Sequence, residues 1–143
     1  VPLVLVGPKG WGSDLQSAIE LIGERVKIVG EVDEVTKHIW YKAASVFCFP
    51  SLMEGFGLPV AEAMSHGTPV VTSSNTATSE VAGDATLLID PKSVDAIAES
   101  IKEILGKPEM AKELGEKGLE RAKKMTWENT ALATADIYRE VVS

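Results

Sequence analysis

Short apolar runs rich in Val, Leu, Ile and Phe alternate along this chain with stretches whose apolar residues return every three or four positions. The first kind reads as buried strand, the second as amphipathic helix. Residues 2–6 form an apolar strand ending at Gly7, and residues 26–29 form another closed by Gly30. Residues 46–49 are a third strand, ending at Pro50-Ser51, while Val70-Val71 and residues 86–89 are a fourth and fifth. Between strands, residues 14–22 carry Leu15, Ala18, Ile19 and Ile22 at helical spacing, with Ser13 as N-cap. Residues 35–44 and 59–65 are two further helices. His66-Gly67 suits the end of the second, with His on the negative pole and Gly as the cap. A polar loop, Ser73-Ser74-Asn75-Thr76, leads to a brief helix near Glu80. After Asp90-Pro91 only helices are predicted. Residues 93–105 present Val94, Ile97, Ala98, Ile101, Ile104 and Leu105 on one face. A second helix follows Pro108, and a third starts at Trp127 behind the N-cap Thr126. Short apolar strands separated by helices imply an α/β fold with a parallel sheet covered on both sides.

The segment with most chemical content is Glu54-Gly55-Phe56-Gly57-Leu58-Pro59-Val60-Ala61-Glu62. It reads as a glycine turn between the third strand and a helix, which makes a polar-ligand cradle at the carboxyl end of a sheet. Gly55 and Gly57 let backbone N–H groups approach a ligand and tolerate positive φ. Pro59 suits the first helical position, where its missing N–H costs nothing. Glu62, near the end of the first turn, is placed to accept two hydrogen bonds from a vicinal diol. Glu54, on the strand side, is placed to meet hydroxyls lying over the helix end. Such a cradle suits a sugar joined to a phosphate. A first-turn Glu also complements the helix dipole or closes a capping box, and Glu54 also reads as a solvated loop carboxylate. The residues alone leave both readings open.

Composition narrows the field. At 143 residues the chain is expected to be one domain, residues 1–143, large enough to bury a real core. Its 21 acidic against 14 basic residues give a net charge of −7, which argues against a nucleic-acid footprint. No apolar run approaches the roughly 20 residues that span a bilayer, and no signal peptide is visible. The single Cys48 lies in an apolar run and reads as a buried free thiol, which fits a reducing, cytoplasmic compartment. One Cys and two scattered His leave no metal cluster of ordinary spacing, and no Asp-x-Asp pair offers a cradle for a divalent cation.

Other signals are absent or bland. No G-K-[ST] follows a glycine loop, so a phosphate-loop NTPase is excluded. Gly7-Pro8-Lys9-Gly10-Trp11-Gly12 does not fit the dinucleotide spacing and reads as a turn, either plain or lining a ligand edge. His38 and His66 read as structural, and Trp11, Trp40 and Trp127 as core or rim aromatics. The charged run from Glu109 to Lys124 is the solvated face of a helix. A Ser-based hydrolase triad has no support.

Several motifs taken together resemble a known family. They are Pro50-Ser51-Leu52-Met53-Glu54-Gly55-Phe56-Gly57-Leu58-Pro59, then Glu62-Ala63-Met64 and Gly67-Thr68-Pro69-Val70-Val71. Leu3-Val4-Leu5-Val6-Gly7, Gly30-Glu31-Val32, Glu80-Val81-Ala82-Gly83-Asp84-Ala85, Asp90-Pro91 and Thr126-Trp127-Glu128 extend the match over the whole chain. These residues resemble the retaining glycosyltransferases of family four, or glycosyl transferases group 1. Gly7-Pro8-Lys9-Gly10-Trp11 is similar to the mannosyltransferase-like branch.

The resemblance implies the GT-B architecture, two Rossmann-like doubly wound domains across a cleft, with this chain the C-terminal, donor-binding one followed by C-terminal helices. Glu62 would hold the ribose hydroxyls of a UDP-, GDP- or ADP-linked sugar. Glu54, as the catalytic residue, would bind hydroxyls of the transferred sugar, and backbone N–H groups of Gly55, Phe56, Gly57 and Leu58 would face sugar and phosphate. Backbone near Val32, with Glu34 or Lys37 beside it, would read the base. The nucleoside-diphosphate sugar is a substrate, and neither cofactor nor metal is implied, since helix dipole and basic side chains carry the leaving-group charge.

Some features depart from the family pattern. Ser79 stands where a Pro is usual and Ser45 where an Asp is common. By the same resemblance, the N-terminal acceptor domain is missing, as are the first strand and helix of the donor domain with a basic pair used against the diphosphate. Lys9 is a possible substitute for that pair. The isolated chain is therefore expected to be inactive alone, and any contact with the cytoplasmic face of the membrane would run through the missing domain. Alternatives are a non-catalytic nucleotide- or sugar-binding module, or a same-fold nucleotide-sugar epimerase or phosphorylase. In a doubly wound sheet the first strand lies between the second and fourth, here residues 3–6 and 46–49. Those two are therefore expected not to pair directly. A strand from elsewhere, or complementation by another chain, would fill the slot, since each buried unpaired backbone group costs about 1–3 kcal/mol.

Overall fold

Every strand expected from the apolar runs is present in the computed structural model, which describes residues 1–8, 19–20 and 23–142. The strands are β1 (Leu3–Val6), β2 (Val26–Gly30), β3 (Phe47–Phe49), β4 (Val70–Ser73) and β5 (Leu87–Ile89). Among the described residues the α-helices with both ends in view are α1 (Glu34–Ala43), α2 (Leu58–Ser65), α3 (Ala77–Ala82), α4 (Val94–Gly106), α5 (Pro108–Ala122) and α6 (Trp127–Val142), and Gly23–Arg25 form a short 3-10 helix. Of the helix expected over residues 14–22, residues 19 and 20 are helical and the others lie outside the described residues. So does the loop from Lys9 to Gly12.

The chain divides into two compact units, Val1–Trp40 and Tyr41–Ser143. In the first, β1 and β2 pair in parallel, Leu3 opposite Val26. In the second, β3, β4 and β5 form a parallel sheet with β4 in the middle. Each of β1 and β3 thus has its ladder partner inside its own unit, as expected for strands that do not pair with one another.

Covering on both sides holds for β4, whose four residues are all buried. It does not hold for β1 and β2, which contain no buried residue. A central strand has a neighbour on both edges, whereas each strand of a two-stranded ladder has one on a single edge only. β4 also runs on through Thr72 and Ser73, the latter expected in a loop. Both are fully buried because their hydroxyls find carbonyls: Thr72 Oγ1 donates to Phe49 O (2.9 Å) and Ser73 Oγ to Ser51 O (2.6 Å). A polar side chain with its partner supplied loses little on burial.

The helical face expected on α4 is narrower than the periodicity implied. Ile104 is buried and Ile97 and Ile101 pack beside it, but Val94 is 78% exposed and Leu105 is also exposed. Helical side chains lean toward the N-terminus, so a first-position residue reaches past the helix start and finds nothing to cover. Trp127, first in α6, fails as a core aromatic for the same reason and is 87% exposed. The charged face of α5 is as expected, laced by the exposed pairs Glu113–Lys117 and Lys112–Glu116.

The core that carries the candidate site lies between α2 and α5. Val60, Ala63 and Met64 of α2 are completely buried. Gly118 of α5 sits so close that an added Cβ would lie 3.3 Å from Met64 Cβ, and one at Gly115 would collide with the Gly67 carbonyl. Gly115→Ala should therefore lower stability by about 1–3 kcal/mol through overpacking. Gly106→Ala, with nothing within 4 Å of the added methyl, should not. Thermal melts of the two variants check this, and equal melting temperatures would contradict the close approach.

Candidate functional site

The site grows from the carboxyl end of β3. Beyond Phe49 the chain is pinned from β4, because Ser73 Oγ holds the Ser51 carbonyl. The Ser51 hydroxyl in turn has Glu54 Oε1 at 3.1 Å and the Met53 carbonyl at 3.0 Å. Two buried hydroxyl residues on a central strand thus fix a loop whose own serine restrains Glu54, which is half-buried. From the other side Thr78 Oγ1 donates to Ser73 O (3.2 Å) and lies 2.7 Å from Thr76 Oγ1, the N-cap of α3.

Gly57 is where the loop turns into α2. It takes φ 99° and ψ 46°, and an added Cβ would lie 2.7 Å from Thr78 Cγ2. Both the left-handed backbone and the close contact require glycine there. The helix begins at Leu58, so Pro59 is its second residue, one place later than expected; its missing N–H is still among the unpaired ones of a first turn. The N–H groups of Val60 and Ala61 fold back onto Gly57 O. Those of Gly55, Phe56, Gly57 and Leu58 donate to no acceptor among the described residues. A run of unpaired N–H donors at the positive end of a helix suits an anion or a polar hydroxylated ligand.

The earlier start of α2 also moves Glu62, which becomes its fifth residue and belongs to the second turn. A capping box needs its acid at the third helical position, which Val60 occupies. The capping alternative for Glu62 therefore falls away. Instead the half-buried Glu62 receives a hydrogen bond from Tyr41: Tyr41 Oη donates to Glu62 Oε2 at 2.9 Å. His66, expected as a helix-end residue, is the C-cap of α2 and also stacks on the Tyr41 ring at 6.1 Å.

The remaining expected residues lie together in the first unit, at the start of α1. Lys37 Nζ is 2.9 Å from the carboxylate of Glu34, and Val32 is half-buried just before the helix. Asp33 caps this helix, accepting from Thr36 N (2.7 Å) and Thr36 Oγ1 (3.1 Å). Those bonds, the backbone one foremost, hold its carboxyl below the ordinary range. The capping contribution is therefore present above the unfolded-state pKa and is lost as pH falls through the lowered value.

Sequence reasoning did not select Tyr41, Ser51 or Thr78 for the site. Ser51 carried a readable signal, a hydroxyl three residues before Glu54. Tyr41 and Thr78 carried none, since one contact is made across 21 residues and the other runs from α3 to the backbone of β4. Burial pushes the Cys48 thiol up from its ordinary value, in keeping with a half-buried free cysteine in β3. Among the described residues no group of three or more His, Cys, Asp and Glu is arranged to hold a metal ion, and no helix is long and apolar enough to cross a membrane.

Comparison with known proteins bears on this arrangement. A family model described as glycosyl transferases group 1 matches residues 1–121. The O-antigen chain mannosyltransferase B of Escherichia coli is 40% identical over 141 residues, covering 96% of this chain and 37% of that protein. A D-inositol 3-phosphate glycosyltransferase of Kribbella flavida is 34% identical, covering 97% of this chain and 35% of its own length. Among solved structures, sucrose-phosphate synthase from Thermosynechococcus elongatus superposes with a TM-score of 0.84 at 34% identity, covering 98% of this chain and 38% of that one. The chain thus spans little more than a third of the length of each of these three proteins.

Proposed function

Because this chain belongs to the glycosyl transferases group 1 family, we propose that it forms the donor-binding part of a longer retaining glycosyltransferase. That enzyme moves a hexosyl group from a nucleoside-diphosphate sugar to an acceptor hydroxyl. The observation that carries the reading is the run of N–H donors from Gly55 to Leu58, without an acceptor among the described residues, set between Glu54 and Glu62 at the head of α2. Two carboxylates accept hydroxyls, and the donors between them accept charge. A sugar joined to a diphosphate and a ribose presents those three things in one molecule.

In this reading Glu62 accepts the ribose diol, and Glu54, restrained by Ser51, accepts hydroxyls of the transferred sugar. The acceptor oxygen attacks the anomeric carbon on the face from which the nucleoside diphosphate leaves. The new carbon–oxygen bond forms as the anomeric bond to phosphate breaks, and the acceptor proton passes to the departing phosphate oxygen. The N–H groups of Gly55 to Leu58 and the positive pole of α2 stabilise charge near the departing group. The family match to a mannosyltransferase and a sucrose-phosphate synthase supports a hexose as the group moved.

Calorimetry of the intact enzyme against UDP-, GDP- and ADP-linked hexoses tests the reading. One base series should bind; binding by none would overturn it. Charge stabilisation by backbone and helix pole requires no metal, so turnover should persist in EDTA. Loss of activity on chelation, restored by a divalent cation, would refute the metal-independent step.

A further inference from the structure

Tyr41 is the one buried residue of α1, and its side chain is held on several sides. Its ring meets Phe47 edge-on, with centroids 5.2 Å apart, and stacks on His66. Its main-chain carbonyl accepts from the buried Thr68 hydroxyl at 2.7 Å. A phenol so confined has one proton to donate, and the Glu62 carboxylate lies 2.9 Å away. We propose that Tyr41 is a positioning residue for the donor's ribose: its hydroxyl sets the plane in which Glu62 meets the 2′ and 3′ hydroxyls of a nucleoside diphosphate. The inference rests on the ribose role of Glu62 given above.

The physical need is plain. The last torsion of a glutamate is broad, so a carboxylate on a helix surface rotates among many orientations. A vicinal diol offers two donors at fixed spacing and is matched only by a carboxylate turned to face both. A charge-assisted bond from a rigid phenol selects one orientation before the ligand arrives, which lowers the ordering cost of binding. A carboxylate has about four acceptor sites in all, of which the Tyr41 hydroxyl takes one.

The alternative is that the hydroxyl merely satisfies a buried phenol. The two differ in what they do to ligand discrimination. In the intact enzyme, UDP, GDP and ADP are titrated calorimetrically beside their 2′,3′-dideoxy forms, and the base that binds is used with four variants. These are Tyr41→Phe, Glu62→Ala, the double variant, and Ile104→Val as a packing control in a core cluster that does not include Tyr41. Tyr41→Phe keeps the ring and its stacking. It should weaken the ribonucleotide about three- to tenfold while barely changing the dideoxy form. It should add nothing in the Glu62→Ala background. Ile104→Val should lower the melting temperature and leave the ribo-to-dideoxy ratio unchanged. An equal loss for both nucleotide forms in Tyr41→Phe, or a loss that persists undiminished without Glu62, overturns the positioning role while the ribose reading stands. If Glu62→Ala itself leaves the ratio untouched, the ribose reading fails and the inference with it.

Discussion

Replacing Glu62 by Ala in the intact enzyme is expected to weaken nucleoside diphosphate binding at least about tenfold. Two charge-assisted hydrogen bonds to a diol each contribute roughly 1.5–3 kcal/mol before non-additivity, and one decade in affinity needs about 1.4 kcal/mol. The structure removes the main competing account of this residue. At the fifth position of α2 Glu62 cannot close a capping box, and it lies beyond the first turn where the dipole is felt most. Truncation also removes the Glu62 oxygen to which the Tyr41 hydroxyl donates, so folding is checked by thermal melt alongside the titration. An unchanged affinity in a folded Glu62→Ala variant would remove the ribose assignment.

Glu54→Gln should act on a different quantity. If Glu54 meets the transferred sugar, loss of its charge should lower kcat by about a hundredfold, the order seen when one electrostatic contact to a transition state is removed. Affinity for the free nucleoside diphosphate, which carries no sugar, should stay nearly constant. Gln keeps an oxygen where Ser51 Oγ donates at 3.1 Å, so the loop has no reason to rearrange. Equal losses of nucleotide affinity in Glu54→Gln and Glu62→Ala would contradict the division of labour between the two carboxylates.

The sites of these two substitutions were legible in the sequence, because glycines, a proline and two acids between a strand and a helix have few other uses. Their supports were not. Ser73 reads as a loop residue by composition, yet it is a buried strand residue whose hydroxyl holds the Ser51 carbonyl. Thr78 reads as an ordinary residue of a short helix, yet its methyl group joins the left-handed backbone in excluding a side chain at position 57. Hydroxyl residues are polar in any one-dimensional pattern, and whether a carbonyl lies within 3 Å of them is a question of three dimensions.

The alternation of short apolar runs with helical rhythm determined by itself that the chain is α/β with parallel strands, since apolar strands separated by amphipathic helices are accommodated by a parallel sheet covered by those helices. It also determined where the glycine turn meets a helix, because Gly and Pro act on the local backbone. Tertiary structure decided the rest. It alone showed that β4 is the buried centre of its sheet while β1 and β2 hold no buried residue, that Gly115 and Gly118 let α5 lie against α2, and that Val94 and Trp127 face solvent. It alone joined Tyr41 to Glu62, across 21 residues. Periodicity states which face of an element is apolar, but the partner of that face, and the hydrogen bonds that cross between elements, come from non-local contacts that no local pattern encodes.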